Sequence, residues 1–200
     1  MGKHYTLSAC IEFITPINHW QKKMKVNFLM NQAVSLEKCV DLSIKRGVCS
    51  AMVMEWSKRE LNGEKQSLAH YSNAYRFSSL QRAMAERHCS RNQFCLVFKS
   101  DHFEYIPWGS MHYTRIIEKM APVTSGVFII DIFFTPTLGH CMGLSIANGK
   151  YKLFDPNFGE CEEINKKDHR QALFYIVKYF HSIYTSQKTQ QMRIIKLQRK

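Results

Sequence analysis

The sequence predicts an α+β fold in which an antiparallel sheet packs against helices, and three observations carry that prediction. Residues 139–160 read as a hairpin: two apolar or alternating runs flank Asn148-Gly149, the pair that most readily supplies the two positive-φ residues of a type I′ turn. Residues 127–134, Val-Phe-Ile-Ile-Asp-Ile-Phe-Phe, are apolar on both faces, as a strand central in a sheet must be. Two stretches, 49–61 and 166–184, carry apolar residues at helical spacing, so helices are at hand to cover the sheet.

Taken in order, residues 1–30 have weak periodicity and Pro16 interrupts an apolar stretch, so they read as an N-terminal arm, extended and then followed by a short element. The opening Met-Gly-Lys-His-Tyr-Thr fits the loose pattern for N-myristoylation at Gly2, for which a chance glycine is the commoner explanation. Ala33, Val34, Leu36 and Val40 suggest a short helix over 31–42. In residues 49–61, Cys49, Met52, Val53 and Trp56 fall at i, i+3, i+4 and i+7, and Asn62-Gly63 supplies a stop. Residues 64–91 are polar and mostly helical in pattern, with Ser78-Ser79 as a cap. Residues 94–98 resemble a strand, and 100–125 are loop-rich with Pro107, Gly109 and Pro122. After the central strand and the hairpin, Asn165 can cap the helix of 166–184, whose apolar face is Leu173, Ile176, Val177, Phe180 and Tyr184. Residues 187–200 form a basic C-terminal tail, either a partly frayed arm or, because Met192, Ile194 and Leu197 partly alternate, a last edge strand.

Composition fits one domain spanning residues 1–200. Its hydrophobic share of 45% is enough for a real core, and there is no repeat, low-complexity segment or dividing linker. No run of eighteen apolar residues exists, and the first eighteen positions lack the basic-then-apolar layout of a secretory signal, so export would need another route. Seven cysteines, an odd and irregularly spaced set, argue for a reducing compartment. The net charge of +12 includes Lys188, Arg193, Lys196, Arg199 and Lys200 near the C-terminus, a cluster suited to an anionic membrane or another anionic surface. Nucleic acid is not the expected partner, because charge alone points to it and no RNA-recognition module is present. His88, Cys89, Cys95 and His102 match no familiar zinc spacing, so no metal and no cofactor are expected.

The hairpin also carries chemistry. A two-residue turn sets Ala147 opposite Lys150, Leu144 opposite Leu153, Met142 opposite Asp155 and His140 opposite Asn157. His140 and Asp155 then share a face as diagonal neighbours, within roughly 7–8 Å backbone to backbone. A carboxylate can thus orient an imidazole, with Asn157 as the alternative orienter. The group to be activated is Cys49. At the first turn of a helix, unpaired N–H groups and partial positive charge favour a thiolate and can hold an oxyanion. The competing reading is that Cys49 merely begins a core stripe. A helix-borne Cys, a strand-borne His about ninety residues on and an acid past the next turn is the layout of papain-like enzymes.

At these residues a family resemblance emerges. Gly47-Val48-Cys49-Ser50-Ala51-Met52-Val53-Met54-Glu55-Trp56, His140-Cys141-Met142-Gly143-Leu144 and Phe154-Asp155-Pro156-Asn157-Phe158-Gly159-Glu160 resemble the three motifs of the YopT-type effector proteases. The resemblance implies a papain-like cysteine protease with Cys49 as nucleophile, His140 as general base and acid, and Asp155 as orienting carboxylate. It also implies a virulence effector delivered into host cytoplasm, acting on a membrane-associated host protein such as a prenylated small GTPase or a kinase. One departure stands out. Papain-like sites place Gln or Asn five or six residues before the cysteine to hold the oxyanion, and here those positions are Ile44 and Ser43. Either Ser43 or a residue from elsewhere substitutes, or the Cys49 amide acts largely alone. The same triad would serve a glutamine deamidase or transglutaminase, and a basic binding module without catalysis is the third expectation.

Overall fold

A computed structural model describes residues 24–36, 47–86, 103–112, 115–133, 139–163 and 191–200. The expected strand of 94–98, the helix of 166–184, most of the N-terminal arm, Ser43 and the His88 to His102 group lie outside them. The described strands are β1 (Met24–Leu29), β2 (Phe103–Met111), β3 (Gly126–Phe133), β4 (Gly139–Ala147), β5 (Lys150–Asp155), β6 (Gly159–Glu163) and β7 (Gln191–Arg199). The helices are α1 (Gln32–Leu36), α2 (Cys49–Asn62), α3 (Ser78–Glu86) and α4 (Ile116–Met120). The seven strands form one sheet in the order β1-β6-β5-β4-β3-β7-β2, and every pairing is antiparallel. The fold is α+β, an antiparallel sheet packed against helices, with Cys49 as the first residue of α2.

The hairpin forms as its turn dictates. Asn148 and Gly149 have φ of 51° and 70°, and the pairs Ala147–Lys150 and Leu144–Leu153 are in register. β3 lies between β4 and β7, buried from Val127 to Ile132. Alternation then sorts the core into two layers. Val127, Ile129, Cys141, Phe154, Ile195 and Leu197 pack under α2, while Phe128, Ile130, Met142, Leu144, Leu153 and Ile194 fill the opposite face.

Three expectations are corrected. The basic tail is neither frayed nor an edge: residues 191–199 are β7, paired with β3 on one side and β2 on the other. Arg193 is buried in an ion pair with Asp131, which removes it from the cations available to an anionic surface. The loop-rich stretch contains a nine-residue strand, β2, whose register shifts between Pro107 and Gly109. The proline cannot donate to the ladder, so the bulge lies where the turn-like residues disguised the strand. Between 64 and 77 two 3₁₀ turns, Leu68–His70 and Ala74–Phe77, replace the expected helix, and the capping side chain is Asn73, which accepts from the Tyr75 amide.

Candidate active site

The chain entering α2 is held by side chains from elsewhere, at Val48 before the helix and at Ala51 within its first turn. Val48 offers no side-chain cap. Instead the buried Gln32 carboxamide accepts the Val48 amide at 2.8 Å, and Gln81 accepts that of Ala51 at 3.2 Å. The amides of Cys49 and Ser50 have no partner among the described residues, so the positive end of the helix opens at the thiol. The other end closes on Gly63, left-handed at φ 69°, whose amide donates to Glu60. In between, Trp56 is fully buried, stacks on Phe154 at 5.7 Å and donates its indole N–H to Glu160 at 2.6 Å. Glu160 also accepts from Asn27, and Lys152 pairs with Glu60 at 3.0 Å, so α2 is anchored to β1, β5 and β6.

The ladder between β4 and β5 ends at Gly143–Phe154, three residues from His140 along β4 and one residue before Asp155 along β5. β5 gives way to the turn of residues 155–158, closed by Phe158 donating to the Asp155 carbonyl, while β4 stays paired with β3 as far as Gly139. Side chains bridge the parting: His140 Nε2 and Asp155 Oδ1 are 2.8 Å apart, both groups being buried. Strand alternation puts His140 with Met142, on the face away from α2. At the end of the strand its ring nevertheless comes near enough to the Cys49 thiol for the two to act on each other electrostatically. With Nε2 on Asp155, the nitrogen left for Cys49 is Nδ1. Cys49 itself is half-buried.

The electrostatics follow. Burial alone would lower the His140 pKa, but Asp155 and then Cys49 outweigh it, and the imidazole is pushed up to about 10. Asp155 Oδ1 also accepts the Asn157 amide at 2.8 Å, which fixes the carboxylate from its own turn. Asn157 is not the orienter of His140: its side-chain oxygen accepts from Gln32 Nε2 at 2.9 Å. Gln32 was not foreseen, and Gly47 carries its signature. With φ at 118°, Gly47 holds the chain so that an added Cβ would sit 3.2 Å from Gln32 Oε1. Behind the site, Arg193 grips Asp131 Oδ2 with Nε at 2.9 Å and Nη2 at 2.7 Å, and Asp131 also accepts from the Cys141 thiol. Burial, opposed chiefly by Arg193, raises the Asp131 pKa. Among the described residues no group of three His, Cys, Asp or Glu could hold a metal ion.

The chain was compared with known proteins. Residues 119–200 match the model of a C58 peptidase family described as Yersinia/Haemophilus virulence surface antigen. The match takes in His140 and Asp155, and Cys49 precedes it. No curated protein sequence matches the chain. Among solved structures, the Pseudomonas avirulence protein AvrPphB superposes with a TM-score of 0.51 and 16% identity, over 78% of this chain and 94% of that one. PatoxP, a cysteine protease-like domain of the Photorhabdus asymbiotica toxin PaTox, gives 0.51 and 14%, over 96% of this chain and 62% of that one. The resemblance to YopT-type and AvrPphB-type proteins read from the motifs is thereby supported from the family match, and the papain-like fold from the structures.

Proposed function

We propose that this chain, with a C58-peptidase match over residues 119–200 and the fold of AvrPphB, is a thiol endopeptidase that uses Cys49, His140 and Asp155. The observation that carries the reading is Asp155 hydrogen-bonded to the His140 ring, with that ring interacting electrostatically with Cys49 at the head of α2. Asp155 holds Nε2 and so leaves Nδ1 to exchange a proton with the thiol. The thiolate attacks a peptide carbonyl, the oxyanion develops beside the Cys49 amide, and imidazolium hands its proton to the leaving amine. A water deprotonated by His140 then cleaves the thioester and releases the acid. The family description supports a bacterial virulence protein. We take the substrate to be a host protein reached after delivery into the host cell.

The test needs no known substrate. Iodoacetamide labelling at pH 6.5, mapped by mass spectrometry, should modify Cys49 at least tenfold faster than Cys141 or Cys161, and His140→Ala should abolish the preference. Equal labelling of the three thiols, or a preference that survives His140→Ala, overturns the reading. For any host target then found, its intact mass separates peptide cleavage from a gain of about one dalton, the mark of glutamine deamidation by the same thioester chemistry.

A further inference from the structure

Seen from Gln32, the site is a closed circuit. The Val48 amide donates to Gln32 Oε1 at 2.8 Å, Gln32 Nε2 donates to Asn157 Oδ1 at 2.9 Å, and the Asn157 amide donates to Asp155 Oδ1 at 2.8 Å. The same Oδ1 faces His140 Nε2 at 2.8 Å, and the His140 ring returns to Cys49, the residue after Val48. The circuit also fixes the amide's orientation. Val48 N–H can meet only an acceptor, so oxygen must face Val48, and nitrogen must then face the Asn157 oxygen. The Gln32 backbone holds the same place, its amide donating to the Pro156 carbonyl at 2.9 Å.

Within this circuit the two halves of the site come from distant parts of the chain. Cys49 rides on α2, and Asp155 and Asn157 on the turn after β5. His140 joins them on the reacting side, and Gln32 joins them on the other. Gln32 is 5% exposed, which makes each of its hydrogen bonds costly to break. We infer that Gln32 is a positioning residue of the active site: it locks the head of α2 to the Asp155–Asn157 turn, and so sets the Cys49 thiol against the His140 ring. The inference rests on the peptidase reading above.

Gln32→Met keeps the length of the side chain and loses both amide hydrogen bonds; Asn157→Ala breaks the same link from the half-buried end. Iodoacetamide labelling rates of the full chain, mapped by peptide from pH 5 to 9, are the readout, with thermal unfolding in parallel. Each variant should slow Cys49 labelling at pH 6.5 by about ten- to a hundredfold, the scale of a misplacement near 1 Å. Labelling at Cys161 should stay unchanged. The double variant should be no slower than the worse single one, because both cut one circuit. A lowered melting temperature with an unchanged Cys49 rate profile, or losses that multiply in the double variant, would overturn the inference. If Gln32→Met does not fold, Asn157→Ala alone decides by the same rate. His140→Ala separates the two levels: if it leaves Cys49 labelling intact the peptidase reading fails, and if it alone slows labelling only the role of Gln32 fails.

Discussion

Gly143→Ala adds one methyl group between sheet and helix, and the structure gives its size of effect. A Cβ there would lie 2.4 Å from Trp56 Cε3 and 2.5 Å from Cζ3. Ordinary carbon contacts are about 3.5–4.0 Å, so the indole or the strand must move by about 1 Å. Neither has slack. Trp56 is fully buried against Phe154, and its indole N–H is tied to Glu160 at 2.6 Å; β4 is paired on both sides. Overpacking of this kind costs about 1–3 kcal/mol, and weakening a hydrogen bond to a carboxylate adds up to about 1.5–3. Losing glycine's freedom in the unfolded chain returns only about 0.4–1 kcal/mol. A net loss of about 2–3 kcal/mol follows, read as a lower urea midpoint at unchanged slope, with a melting temperature lower by roughly 5–10 °C. The control is the same alanine in a Trp56→Leu background, where the space is open and Gly143→Ala should be neutral or slightly stabilising. A wild-type background that tolerates Gly143→Ala without loss would refute the claim that α2 is seated on this glycine.

Two further outcomes are expected. The proton on His140 should persist well above the usual range, so that its ring signals in NMR titrate near pH 10 and not near 6.5. Because the folded value is raised, the stability tied to that proton is complete below about pH 6.5 and is lost as pH climbs through about 10; His140→Gln should flatten this fall, and a wild-type ring titrating near 6.5 would refute it. Arg193→Met leaves Asp131 buried without its cation and should cost about 3–5 kcal/mol by denaturant unfolding, whereas Asp131→Leu with Arg193→Met should recover most of that. A double variant as unstable as the single one would show that the pair is not the source of the loss.

What the sequence made legible was local. Asn148-Gly149 admits few turns, so the register of β4 against β5 could be written down residue by residue, and it holds as far as the ladder runs. The spacing of Cys49, Met52, Val53 and Trp56, with a stop at Asn62-Gly63, likewise found α2 to within a residue. Beyond Gly143 the reasoning by register fails in a useful way: His140 and Asp155 do meet, but across a parting of the strands and not on a paired face. β2 escaped because Pro107 and Gly109 are turn residues everywhere except at a bulge. Gln32 escaped because nothing in its neighbourhood along the chain says that Val48 and Asn157 will arrive on either side of it.

Arg193 escaped for a different reason, and one signal for it was present. A cluster of cations at a C-terminus reads as solvated charge, yet Asp131 sits in the middle of a strand apolar on both faces, where an unpaired carboxylate would be prohibitively costly. A strand with such a residue demands a buried cation from a neighbour. The tail supplied candidates of alternating pattern, with Arg193 in phase with Ile195 and Leu197 on the α2 face. Following the demand from Asp131 would therefore have turned the tail into a strand and seated it beside β3. The charge that looks outward in composition is the one that closes the sheet beside β3, which makes the last strand part of the site's foundation.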